Sequence, residues 1–159
     1  MVNENVTIDD VQIGRGSYRN FSGVKTEYNK AGNRQFSVFL PRETAEIMME
    51  QGWFIKQKPP RREGEDDQFQ LDVAVGFGQY PPVIKLVSYD GKESYLTEES
   101  IGILDATDIE RADLEIRPYN WEVNGKSGTK AYVRSLTVKA KPPRRVLRGR
   151  MDDNWDEEE

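Results

Sequence analysis

Apolar and polar residues alternate along most of this chain, and a period of two is the mark of strands with one buried face. VTIDDVQI reads as a first strand and YRNFSGVKTEY as a second. RQFSVFL alternates cleanly at Phe36, Val38 and Leu40, and the YNKAGN before it places Asn29, Gly32 and Asn33, which tolerate positive φ, in a hairpin turn. PRETAEIMMEQG breaks the pattern and predicts one short helix. Pro41 suits the first turn, Glu43 and Glu46 lie towards the positive end of the dipole, and Gly52 suits the C-terminal cap. WFIKQ then resumes an extended run, and KPPRREGEDD is a polar loop rich in breakers. QFQLDVAVGF puts Phe69, Leu71, Val73, Val75 and Phe77 on one face. VIKLVSYDGKESYLT folds back at Asp90-Gly91, EESIGILD makes a helical turn or two, and DLEIRPYNWEV and TKAYVRSLTV flank a glycine turn in VNGKSG.

Seven or eight short strands with a single short helix predict a mainly β protein, an OB-fold-like small barrel. An immunoglobulin-like sandwich fits less well, because it usually lacks the helix. The periodicity stops after Val138, which divides the chain into a domain over 1–138, a basic flexible arm over 139–150 and a disordered acidic tail over 151–159.

Charge sharpens this division. The chain carries a net charge of −5, yet residues 152–159 hold six of its 28 acidic groups and no basic one, leaving 23 basic against 22 acidic groups in residues 1–151. The arm KAKPPRRVLRGR contributes six of those cations, so any cationic surface on the body is a local patch. The absence of cysteine and histidine excludes disulfides, thiolate nucleophiles, imidazole bases and ordinary zinc sites. An enzyme is not expected, nor is a cofactor. Asp105, Asp108 and Glu110 in ILDATDIE have the close spacing of a metal cluster, but close carboxylates are common in so charged a chain. No run of ~20 apolar residues spans a membrane and the N-terminus lacks the pattern of a secretory signal, so the expected location is the cytoplasm.

The remaining chemistry lies in aromatic residues interleaved with basic ones on strands. The first hairpin carries Tyr18, Arg19, Phe21, Lys25, Tyr28, Lys30, Arg34 and Phe36. On the last, alternation places Arg117, Tyr119 and Trp121 on one face of one strand and Lys130, Tyr132 and Arg134 on one face of the other, opposite Ala131, Val133 and, if the pattern runs unbroken, Ser135 and Thr137. Aromatic residues on strands are ordinarily core, as expected for Phe36, Trp53, Phe69 and Phe77, but a core face would not carry Arg117 or Lys130. Aromatic faces stack exposed bases and Lys or Arg neutralise phosphates, the combination that binds single-stranded nucleic acid. The candidate stacking residues are Tyr28, Tyr119, Trp121 and Tyr132, and the candidate phosphate contacts are Arg34, Lys56, Arg117, Lys130 and Arg134.

RNFSGVKTEYNKAGNRQFSVFLP, the short helix, QGWFIK, then DLEIRPYNWEVNGKSGTKAYVRSLTV and an acidic end are together similar to the OB-fold single-stranded DNA-binding proteins of bacteriophages. The resemblance covers roughly residues 14–57 and 110–138 plus the tail. It implies a protein that coats DNA exposed in replication or recombination without sequence preference. It also implies an acidic end that recruits partner proteins and competes with DNA, here Asp152, Asp153, Trp155, Asp156, Glu157, Glu158 and Glu159. Such tails commonly end on or near a hydrophobic residue, whereas four acidic residues follow Trp155, so an internal tryptophan anchor would have to substitute. The competing readings are a virion-associated or protein-interaction barrel without nucleic acid, and, less favoured for a chain without histidine, a Mg²⁺-dependent nuclease.

Overall fold

The alternating runs become strands wherever one face can be buried. The computed structural model describes residues 2–27 and 29–142. In chain order its strands are β1 (Val6–Ile13), β2 (Arg19–Asn20), β3 (Arg34–Leu40), β4 (Lys56–Lys58), β5 (Gln68–Val75), β6 (Val83–Val87), β7 (Glu93–Leu96), β8 (Ile109–Val123) and β9 (Lys126–Ala140). One helix, α1 (Arg42–Gln51), joins β3 to β4, and short 3₁₀ turns lie at Gly16–Tyr18 and Ile101–Asp105.

Five strands close on themselves. β1, β3 and β5 lie side by side and antiparallel, β8 pairs with the other edge of β1, β9 pairs with β8, and β9 returns to β5 in parallel through Val73↔Ala131 and Ala74↔Tyr132. That connectivity is an OB-type barrel, with α1 inserted between its second and third strands. The free edges are consequently few. β4 occupies the edge of β5 that β9 leaves uncovered, and the β6–β7 hairpin extends the sheet from the C-terminal half of β9.

The barrel is filled by alternate residues that the sequence singles out, Phe36, Val38 and Leu40 on β3 and Phe69, Leu71, Val73 and Val75 on β5, together with Leu114 and Ile116 on β8. The alternation is reset at three points, one of them between Ile109 and Arg111 on β8. On β1 the register slips between Ile8 and Val11, where Asp10 takes φ 57° and its N–H donates to Asp113 Oδ1 at 2.9 Å. On β9, Ser135 and Val133 face successive residues Glu115 and Ile116, so Arg134 is the extra residue. The expected unbroken alternation therefore fails there: Ala131 and Val133 point inward below the bulge, Leu136 and Val138 above it.

α1 starts at Pro41 as N-cap rather than within the first turn, and ends at Gly52, whose φ of 108° only glycine adopts without strain. The run YRNFSGVKTEY does not form a full strand. After Arg19–Asn20 the Asn20 side chain accepts hydrogen bonds from the N–H groups of Gly23 and Val24 and turns the backbone away, and the Asn29 amide holds the carbonyls of Val24, Lys30 and Asn33. The strands are also not uniformly short, since β8 and β9 are 15 residues each and β9 runs to Ala140, past the expected boundary at Val138.

Candidate nucleic-acid interface

The outer face of the barrel follows from the same parity that builds the core. With Phe36 and Val38 inside, Gln35, Ser37 and Phe39 of β3 point out, as do Gln70, Asp72 and Ala74 of β5. β8 and β9 run on as a two-stranded ribbon to a tight turn at Asn124 (φ 52°) and Gly125 (φ 78°), the positive-φ pair that a two-residue hairpin requires. On that ribbon Arg117 faces Tyr132, Tyr119 faces Lys130 and Trp121 faces Gly128. The two rows expected from alternation thus form one face, next to Ala74 of β5.

The side chains on this face hold one another in place. Tyr119 and Tyr132 meet edge to face with centroids 5.9 Å apart, while the Arg117 guanidinium lies 4.8 Å and the Lys130 ammonium 5.3 Å from the Tyr132 ring. Among the described residues neither Arg117, Lys130 nor Arg134 forms an ion pair, so their charges are not committed to a protein carboxylate. Tyr119 and Trp121 remain exposed. Trp121 packs so closely on Gly128 that a Cβ there would lie 2.7 Å from its ring.

A cleft of about 160 Å³ runs from this ribbon over β5, with Trp121, Lys130 and the exposed Phe54 around Gln35, Asp72 and Ala74. A second, of about 330 Å³, continues from Gln35 and Asp72 past Lys56 and Ser37 to Tyr18. The two share Gln35 and Asp72 and form one groove across β5 and β3. Its floor carries a carboxylate, which a phosphate would avoid, but that carboxylate is satisfied. Asp72 accepts hydrogen bonds from Lys56 Nζ, Gln70 Nε2 and Ser37 Oγ, each at 2.7 Å. Burial pushes its pKa up, and the hydrogen bonds from Lys56, Gln70 and Ser37 together with the lysine charge outweigh that and hold it below the usual carboxylate value.

Not every expected site residue reaches the groove. Trp121, Lys130 and Lys56 line it, and Tyr119, Tyr132 and Arg117 flank it on the ribbon. Arg134 is exposed at the bulge and lines neither cleft. Arg34 does not join them: it shares the inward parity of Phe36, pairs with Glu98 at 3.3 Å and covers the Phe77 ring at 5.5 Å. Much of the first hairpin is likewise structural. Phe21 and Phe36 stack in the core at 4.9 Å, and the Arg19 guanidinium donates to the carbonyls of Gly14, Leu104 and Thr107. Asp105, one of the carboxylates with metal-like spacing, accepts from the N–H groups of Phe21 and Ser22 instead. Tyr28, the arm beyond Pro142 and the acidic tail with Asp152, Asp153, Trp155, Asp156, Glu157, Glu158 and Glu159 lie outside the described residues.

Two groove aromatics lie outside the set of candidate stacking residues. Phe54 is exposed because its neighbours Trp53 and Ile55 are buried, a parity visible in WFIKQ. Tyr18 sits beside Phe39 with centroids 5.3 Å apart, with the Lys58 ammonium 5.6 Å from its ring, and nothing local in the sequence announces that placement.

A family model of a phage ssDNA-binding domain matches residues 1–144. No curated protein matches the chain. Among solved structures, the single-stranded DNA-binding protein from bacteriophage Enc34 in complex with ssDNA is similar with a TM-score of 0.53 at 13% identity, over 87% of this chain and 88% of that one. A second structure of the single-stranded DNA-binding protein from bacteriophage Enc34 is similar with the same TM-score at 14% identity, over 97% of this chain and 90% of that one. At these identities the likeness is one of fold.

Proposed function

The chain belongs to the phage ssDNA-binding domain family, and from that premise we propose that it binds single-stranded DNA without sequence preference along the groove across β3 and β5. The observation that carries this reading is the groove itself: Trp121, Phe54 and Tyr18 are spaced along it, with Lys130 at one end and Lys56 and Lys58 nearer the other. Every base has a π-face, so aromatic platforms bind regardless of sequence, each worth about 1–3 kcal/mol per base. Tyr119 and Tyr132 extend the platform on the ribbon, where Arg117 and Lys130 supply charge for phosphates. Arg134 is near enough in sequence to act with them, and Tyr28 is proposed as a further stacking residue. No donor or metal chemistry is asked of the protein; it holds the strand.

The family supports a role in DNA replication or recombination, where single strands are exposed. The domain then comprises roughly residues 1–138, with a basic arm over 139–150 and an acidic tail over 151–159. The six carboxylates of the tail around Trp155 resemble a phosphate backbone in charge, which fits a segment that competes with DNA and, when displaced, recruits a partner protein. Titration of a fluorescent oligo-dT, followed by anisotropy over a range of salt, tests the binding. Tight binding that weakens steeply with salt is expected, and a flat titration at low salt would sink the proposal.

A further inference from the structure

The groove does not stop at Tyr18. That residue also lines a larger cleft, of about 590 Å³, on the β1 side of Phe39, where Arg15, Arg61, Arg111 and Lys141 surround the edge-to-face pair of Tyr18 and Phe39. Four cations face it against one lining carboxylate, Glu110. Two of the four are only loosely engaged: Arg15 lies 3.5 Å from Asp108 and Arg111 lies 3.7 Å from Asp10, exposed pairs worth at most about 1 kcal/mol. Arg61 and Lys141 form no ion pair among the described residues. Like charges of this number around a concave surface raise the local concentration of a polyanion.

Lys141 also fixes where the chain leaves the barrel. Its N–H donates to the Asp108 carbonyl at 2.8 Å, which ties the chain just after β9 to the rim of this cleft. We infer that the cleft is a second binding segment for the backbone of the same DNA strand, which turns past Tyr18 into it. This rests on the proposed function and adds to it a division of labour. The β3–β5 groove holds bases by stacking, and the cleft holds phosphates by charge.

The two segments separate by oligonucleotide length. An oligo-dT of about 5 nucleotides fills the stacking groove alone, whereas one of about 16 reaches both segments. In the full-length protein, replacing Arg61, Arg111 and Lys141 by glutamine removes up to three phosphate contacts. The salt dependence for the long oligonucleotide is then shallower by about 2 in log–log slope, which is about a 16-fold smaller loss of affinity over a fourfold rise in salt. The short one is expected to bind as before. Arg61→Gln alone, in an exposed loop where folding is not at stake, should lower the slope for the long strand by about 0.7. Equal losses for both lengths, or an unchanged slope for the long one, would overturn the inference while leaving ssDNA binding intact. Tighter binding by the triple variant would also overturn it, since the cleft would then hold the acidic tail. Failure of the wild type to bind either length would remove both readings together.

Discussion

Gly128 touches no DNA in this account, yet it decides where Trp121 lies. A Cβ at that position would come within 2.7 Å of the indole, so even alanine must push the ring off the ribbon. Gly128→Ala is expected to weaken oligo-dT binding by up to about 1–3 kcal/mol, the worth of one stacked base, with little change in the thermal midpoint because the site is outside the core. A full-strength binder would show that Trp121 does not stack. Asp72 makes a different prediction at the same scale. Its pKa is lower in the folded protein than in the unfolded chain, so it contributes stability above the usual carboxylate range, and that contribution is lost as the pH falls through the folded value. The stability gap between wild type and Asp72→Asn, present at pH 7 in thermal denaturation, should therefore close below about pH 4. A gap that stays constant to pH 2 would mean that the network around Asp72 does not hold it charged.

At the scale of elements, the sequence was most legible where one face of a strand is buried. β3, β5 and the β8–β9 ribbon appear where alternation places them, and so does the row of Arg117, Tyr119 and Trp121 opposite Tyr132 and Lys130. What escaped depends on contacts between distant segments. The bulge at Arg134 arises from the pairing of β9 with β8, not from β9 itself, and only the three-dimensional register reverses the parity of Leu136 and Val138. Arg34 pairs with Glu98, 64 residues away, a partner that no local pattern announces. Phe21 and Tyr18 show the reverse pair of cases, one aromatic buried completely and the other in the groove, on either side of the two-residue β2, too short for a period to apply.

For the whole molecule the governing feature is the uneven spread of charge. A body and arm near neutrality carry an acidic end with six carboxylates, so the net −5 misrepresents the surface that DNA would meet. Removal of residues 152–159 is expected to tighten oligo-dT binding by about 10-fold at low ionic strength, with the gain shrinking as salt screens the tail. Unchanged affinity would reject competition by the tail without touching the groove. The groove is tested most directly through its tryptophan. Of the three tryptophans, Trp53 is buried at 3% exposure, Trp121 lies in the groove and Trp155 is in the tail. In a protein lacking residues 152–159, saturating oligo-dT should quench the fluorescence of Trp121, and Trp121→Phe should abolish the quenching while anisotropy still reports binding. Quenching that survives in Trp121→Phe, or binding without any quenching in its parent, would contradict the placement of the DNA on this face.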